Sequence, residues 1–298
     1  MSTMLATPDD ARLLPFPTSA AADRRERDWE RLTSGLGDAR QRLAIVSGRR
    51  DLDAHAHVFH AADGAVPGAR YAPTHDAPMA AWSLHLLSAG LVGGTLVQPS
   101  FLGFDNTRML AAMQTGHERG LLVTGSAVVP MDAPAAQFEA LARKGCVSVR
   151  LNLMKLALPD FTSREWSLFA RRARDAGLAI EVHLEHERAA SLVAAILREG
   201  ACVIVDHYGL APGADALSAV LGDRDLDRVF VKASAPYRLP CDPSTGGNPA
   251  ALAARLLDRA VATVGEPNVM WGSDWPHTQH AMTFAQSLAL NAGPGSIR

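Results

Sequence analysis

Eight times along this chain a short apolar, β-branched run is followed by a helix-length segment, and that alternation leaves few folds open. The runs are 45–55, 91–98, 121–129, 146–152, 178–184, 201–207, 229–234 and 268–273; only part of the first need be strand. Helical segments lie at 77–89, 105–119, 134–144, 163–176, 187–199, 213–221, 249–264 and 278–290. Strands that are apolar almost throughout are buried on both faces, as in a parallel sheet covered by helices. Eight such units in order point to a single-domain (β/α)8 barrel. A doubly wound open sheet is the alternative, but it generally uses fewer strands, and no GxGxxG follows the first strand. The 298 residues fit one barrel, and 48% apolar residues suffice for its core.

One helix can be specified closely. Thr162 and Glu165 have capping-box spacing. Trp166, Phe169, Ala170 and Ala173 recur at i, i+3, i+4 and i+7, which makes one apolar stripe. Gly177 supplies the C-terminal stop.

Residues 1–45 differ from the rest, with the charged run DRRERDWERL at 23–32, and read as a loosely structured N-terminal extension before a barrel domain at 46–298. No basic region followed by an apolar core opens the chain, and no stretch reaches the roughly 18 apolar residues of a membrane helix. A net charge of −2 offers no basic surface for nucleic acid or membrane. Cys146, Cys202 and Cys241 form no CxxC pair, so a reducing compartment, the cytoplasm, is expected rather than a disulfide framework. A homo-oligomer is compatible with all of this.

In a barrel of this kind the C-terminal strand ends line the active site. Here they carry His55 and His57 (strand 1), Gln98 and then Ser100 (strand 2), Arg150 and Asn152 (strand 4), and His183 (strand 5). Strand 6 ends in Asp206 and His207, strand 7 leads to Ser234 and Arg238, and strand 8 to Asp274, Trp275, Pro276 and His277. Alternate residues of a strand share a face, so His55 and His57 can converge on one ion or one substrate oxygen. Neutral imidazoles and carboxylates are suitable zinc ligands. Asp53 supports the strand or the ligands from behind. Asp274 can hold a metal and take a proton from an attacking water, or else simply cap the segment after Pro276. Arg150 and Arg238 suit a substrate carboxylate, or else pair with acids inside the barrel. His60, His75, His85 and His117 lie away from strand ends and read as surface or structural; His186 and His280 have no assigned role.

DAHAHVF (53–59), VQPSFLGFDN (97–106), VRLNL (149–153), VDHYG (205–209) and MWGSDWPH (270–277) together resemble the amidohydrolase-related family of TIM-barrel hydrolases. The nearest branch is that of 2-pyrone-4,6-dicarboxylate lactonase. The resemblance spans about residues 50–278. It implies a distorted barrel that hydrolyses lactones or related small carboxylated compounds. His55 and His57 match the first-strand histidines, His207 the sixth-strand histidine, and Asp274 the aspartate that activates water. Arg150 and Arg238 match carboxylate-binding arginines, and Ser100 a substrate-contacting position.

The departures shape the expectation. Two further arginines of the lactonase are replaced by Leu156 and Leu210, so a substrate with fewer negative groups than the pyrone dicarboxylate is expected. His183 stands where the metal-independent lactonase has tyrosine. That favours one divalent metal, zinc first, on His55, His57, His183 and Asp274, with a metal-free mechanism as the alternative. No lysine on strand 4 supports a carbamylated binuclear centre. The short ending after DWPH implies a weaker cover over strand 8. The leading function is hydrolysis of a small anionic lactone. A metal-dependent decarboxylase of a small aromatic or unsaturated acid, and a degenerate ligand-binding barrel, are the alternatives.

Overall fold

The computed structural model describes residues 20–34, 37–240 and 247–291. Each expected run contains one strand: Leu52–Ala56 (β1), Gly93–Val97 (β2), Leu122–Ala127 (β3), Cys146–Asn152 (β4), Ala179–His183 (β5), Val203–Val205 (β6), Val229–Ser234 (β7) and Val269–Gly272 (β8). They pair in parallel, in sequence order, as one eight-stranded sheet. The ring closes just beyond β8. There the Asp274 N–H donates to the His55 carbonyl, and the His57 N–H to that of Trp275, both at 2.7 Å.

Two helices precede β1, Ala20–Thr33 (α1) and Ala39–Leu43 (α2). The outer layer follows as Met79–Ser88 (α3), Thr107–Glu118 (α4), Ala135–Arg143 (α5), Arg164–Asp175 (α6), His186–Arg198 (α7), Ala214–Leu221 (α8), Pro249–Val264 (α9) and Phe284–Asn291 (α10). In α6 the stripe Trp166, Phe169, Ala170 and Ala173 is buried as its spacing requires. Its cap is one residue later than expected. Ser163 accepts from the Trp166 N–H at 3.1 Å, while the Thr162 hydroxyl donates to Asp160. The nearby carboxylate takes Thr162 for its own turn and leaves Ser163 to cap. Gly177, at φ +69°, ends the helix in the left-handed conformation that favours glycine.

Along the strands the interior changes character. Alternate positions of β5 run Ala179, Glu181, His183; around β6 they run Cys202, Ile204, Asp206; along β7 Phe230, Lys232, Ser234; from β8 Met270, Gly272, Asp274. The lower members join Leu52, Ala54 and Leu122 in an apolar floor. The upper members form the polar mouth.

The described part of the N-terminal segment seals that floor and is not a loose extension from Ala20 onward. Leu32, Leu43, Ile45 and Val46 are buried in the same cluster as Phe230 and Met270. Buried Arg42 donates to three carbonyls, of Leu32 (2.6 Å), Ala142 (3.0 Å) and Cys146 (2.6 Å). The charged run concealed this because one apolar side suffices to dock a helix. The boundary drawn at residue 45 falls inside the packed cluster, and residues 1–19 lie outside the described residues. Strand 8 is covered after all: Phe284 of α10 is buried, and Trp271 donates through Nε1 to the Ser287 carbonyl at 3.1 Å.

Candidate active site

The first strand delivers both imidazoles to one place. The ring centroids of His55 and His57 are 5.0 Å apart, and ligand atoms of His55, His57 and Asp274 all lie within 4.8 Å of one another. Asp53 stands behind them as a staple. It accepts from the Ser273 N–H (2.8 Å), the Ser273 hydroxyl (2.6 Å), the Trp82 indole (3.0 Å) and the His55 N–H (3.3 Å). It thereby ties β1, the end of β8 and α3 together. Gly272 is required by close approach, since a Cβ there would sit 2.5 Å from that of His55.

Asp274 is fully buried and contacted on both oxygens. Oδ1 faces Nε2 of His57 (3.2 Å) and of His55 (3.6 Å). Oδ2 accepts from the Tyr237 hydroxyl (2.5 Å) and from Arg238 Nε (3.3 Å). Burial alone would raise its pKa, but His207, the His57 contact, His55 and Arg238 outweigh that and hold the carboxyl well below its ordinary range. Asp274 (φ 56°) and His207 (φ 52°) both occupy left-handed backbone, a cost in non-glycine residues that gathers at functional sites.

The tautomer of His57 follows from its partner. Nδ1 lies 2.7 Å from the Val97 carbonyl, which can only accept, so Nδ1 carries the proton. Nε2 of His57 therefore faces Asp274 Oδ1 at 3.2 Å, a contact completed by a proton or a cation between the two atoms. Nε2 of His55, 3.6 Å from the same oxygen, has no hydrogen-bond partner among the described residues. Burial pushes the pKa values of His55, His183 and His207 well down, which keeps those rings neutral. Buried neutral imidazoles and a carboxylate around one point are a donor set fitted to a divalent cation.

The expected four-ligand set comes together only in part. His183 is buried at the end of β5, but it lies against His207 (centroids 4.9 Å) rather than in the His55–His57–Asp274 group. His207 stands between, 4.7 Å from His55, and its Nδ1 is 2.8 Å from the Ser234 hydroxyl. His55, Asp206 and His207 form a second compact group.

The arginines divide. Arg150 is buried and bound to Asp206 (2.7 Å) and Glu181 (3.3 Å), the barrel-internal pairing. Arg238 lies on the short helical turn after β7, its side chain 34% exposed at the mouth and one edge on Asp274. Ser100 sits on the turn after β2 and is contacted by Arg70. Leu156 is exposed.

Four residues that sequence reading passed over belong here. Lys232 is buried on β7, with Nζ 2.7 Å from Glu181, 3.6 Å from Asp206 and 3.4 Å from His55 Nδ1. The signal was present, since Lys in VFVKAS and Glu in LAIEVHL are charges inside buried strands. Tyr237 was legible only as a neighbour of Arg238. Arg70 and Tyr71 come from the long β1–α3 loop, which carries no periodicity to place them. Tyr71 meets His277 Nε2 at 3.0 Å, and burial with the Asp274 charge raises its pKa to about 12. Burial beside His57 lowers His277 to about 3.

The profile of the amidohydrolase family matches residues 52–293. The chain belongs to the amidohydrolase family. It is similar to the 2-pyrone-4,6-dicarboxylate hydrolase of Comamonas testosteroni, at 28% identity over 240 residues, 76% of each chain. It is also similar to the 4-sulfomuconolactone hydrolase of Hydrogenophaga intermedia, at 25% identity over 241 residues, covering 76% of this chain and 74% of the relative. Among solved structures, a probable 2-pyrone-4,6-dicarboxylic acid hydrolase of Acinetobacter baumannii with citric acid bound superposes with a TM-score of 0.74. That match has 30% identity and covers 82% of this chain and 91% of the other. By its family and its relatives this chain is a hydrolase. Among the described residues no helix is long and apolar enough to cross a membrane.

Proposed function

We propose that this hydrolase opens a small carboxylated lactone by adding water to the ester carbonyl, with Asp274 as the proton carrier. The observation that carries the reading is Asp274 itself, buried, ionised, held on one oxygen by Tyr237 and Arg238, and facing two imidazoles with the other. Oδ1 accepts the proton of the attacking water as the water oxygen bonds to the carbonyl carbon. The ester C–O bond then breaks, and the same proton passes to the departing ring oxygen, giving the ring-opened hydroxy acid. Tyr237 and Arg238 fix the carboxylate plane and return it to the ionised state. Lactones named in two relatives, and the citric acid bound in a solved one, support a cyclic ester that carries carboxylate.

His55, His57 and Asp274 would hold a divalent cation, zinc by donor type, while His183 packs against His207 outside that compact group. Such an ion lowers the pKa of bound water to about 7 and polarises a carbonyl.

Incubation of the purified protein with a panel of carboxylated lactones, followed by product analysis and elemental analysis, tests the reading. Ring-opened acid without carbon dioxide, in a protein carrying one divalent ion per chain and silenced by a chelator, is the expected result. Carbon dioxide release would move the assignment to decarboxylation, and an inert protein across the panel would end it.

A further inference from the structure

Among the described residues the cations around the mouth differ in how they are paired. Arg150 is paired with Asp206 and Glu181, Lys232 with Glu181, and Arg238 with Asp274. Arg70 has no such partner: among the described residues no carboxylate lies within ion-pair distance of it. Its Nη2 reaches only neutral oxygens, the Ser100 hydroxyl at 3.5 Å and the Asn152 side-chain carbonyl at 3.3 Å. Both are longer than the usual 2.9–3.0 Å of an N–H···O bond, so neither anchors it firmly. These two contacts place the guanidinium across the mouth, between the turn after β2 and the end of β4. Arg150 and Arg238 are its cationic neighbours; loss of hydration first, and then their charges, depress its pKa. A guanidinium held at the mouth without an ion-pair partner of its own, beside two cations already paired with acids, is a binding site for an incoming anion.

We infer that Arg70, reaching in from the β1–α3 loop beside Ser100 and Asn152, is the specificity-determining residue that binds a carboxylate of the substrate. The inference rests on the proposed lactone reading only for the identity of the reaction, and not for the anion. The guanidinium fork matches a carboxylate bidentately, with the Ser100 hydroxyl free to donate to the same group. The anion anchor thus enters from the first loop, between the turn after β2 and the end of β4. A substrate carrying its carboxylate on the side of the ring facing β2 and β4 is therefore selected over its neutral amide or ester.

Two measurements test this. Isophthalate, a flat dicarboxylate with no ester to cleave, is titrated calorimetrically into the wild-type protein, Arg70→Ala and Arg70→Lys. The affinity should fall about 10- to 100-fold in Arg70→Ala, as expected for losing a charge-assisted bidentate contact, with Arg70→Lys between the two. Unfolding temperatures should agree closely, because Arg70 is exposed and buries no neighbour. Equal affinities, or no binding to any of the three proteins, overturn the assignment. The second measurement compares kcat/KM for a carboxylated lactone and for its methyl ester. Arg70→Ala should collapse the ratio between them, mostly through KM; a parallel loss on both substrates would show a structural role and overturn it. If isophthalate binding depends on Arg70 yet no lactone is opened, the hydrolytic reading fails and the anion site stands.

Discussion

At the floor of the barrel Leu52, Leu122, Phe230 and Met270 meet Leu32 and Leu43 from the N-terminal helices; a few residues up the same strands stand His55, Glu181, Asp206, Lys232 and Asp274. Both regions are buried, and they solve burial in opposite ways. In the floor buried Arg42 spends its terminal nitrogens on three backbone carbonyls and leaves only Nε without a partner among the described residues. The mouth buries acids, bases and imidazoles together and leaves His55 Nε2, His183 Nδ1 and Asp206 Oδ1 without hydrogen bonds. Unmet polar atoms are costly in a protein interior and persist where something else has to bind. The lower half is thus closed by apolar packing, and the upper half gathers the groups that could react.

The largest expected effect separates the halves directly. Asp274→Asn removes the proton carrier and should lower turnover by about a thousandfold or more, in line with the loss of a principal acid–base group. Its thermal unfolding should stay near that of the wild type, because the floor is untouched. Near-normal turnover in this variant would break the division and the mechanism together.

Lys232 tests where the halves meet. Lys232→Met leaves Glu181 and Asp206 short of a partner in a sealed interior, which should cost about 3–5 kcal/mol in chemical denaturation. Adding Glu181→Gln should recover part of that loss, since fewer uncompensated charges remain. A single variant within 1 kcal/mol of wild type, on the scale of an ordinary surface change, would show that the charge network is not integral to the barrel.

The two halves also differed in legibility. All eight strands could be read, because apolar runs alternating with helical stripes are a period signal spread over many residues. The mouth could be read where chemistry sits at strand ends, hence His55, His57, His207, Arg238 and Asp274. It could not be read where a charge sits inside a strand: Lys232 and Glu181 look like exceptions to an apolar run until the sheet closes and sets them 2.7 Å apart. Arg150 has the same sequence context whether it faces substrate or Asp206, and only the geometry decides. Arg70 and Tyr71 depend on the path of a loop. The floor was misread because DRRERDWERL is dominated by its solvent side, whereas docking depends on a few residues such as Leu32.

Arg42 probes that floor. Arg42→Ala removes the donor to the carbonyls of Leu32, Ala142 and Cys146, of which Ala142 keeps the Gly145 N–H, and should destabilise the protein by about 2–3 kcal/mol. KM for the lactone should not move, since the change lies at the far end of the barrel. A shifted KM at unchanged stability would mean that the floor and the mouth are coupled, and the contrast drawn between them would no longer hold.

The smallest effect sharpens the comparison at the outer layer. Helix α6 starts near the mouth, so its cap could serve either the site or the fold. Ser163 accepts the Trp166 N–H in a hydrogen bond whose loss to alanine is worth about 1 kcal/mol. The Thr162 hydroxyl is exposed and engaged by Asp160, so Thr162→Ala should cost clearly less. Denaturant titration of the two variants should therefore rank Ser163→Ala as the weaker protein while both retain full kcat/KM. The opposite ranking would restore the cap to Thr162. A loss of activity in Ser163→Ala at unchanged stability would show that this mouth-side loop is held for the substrate and not for the helix.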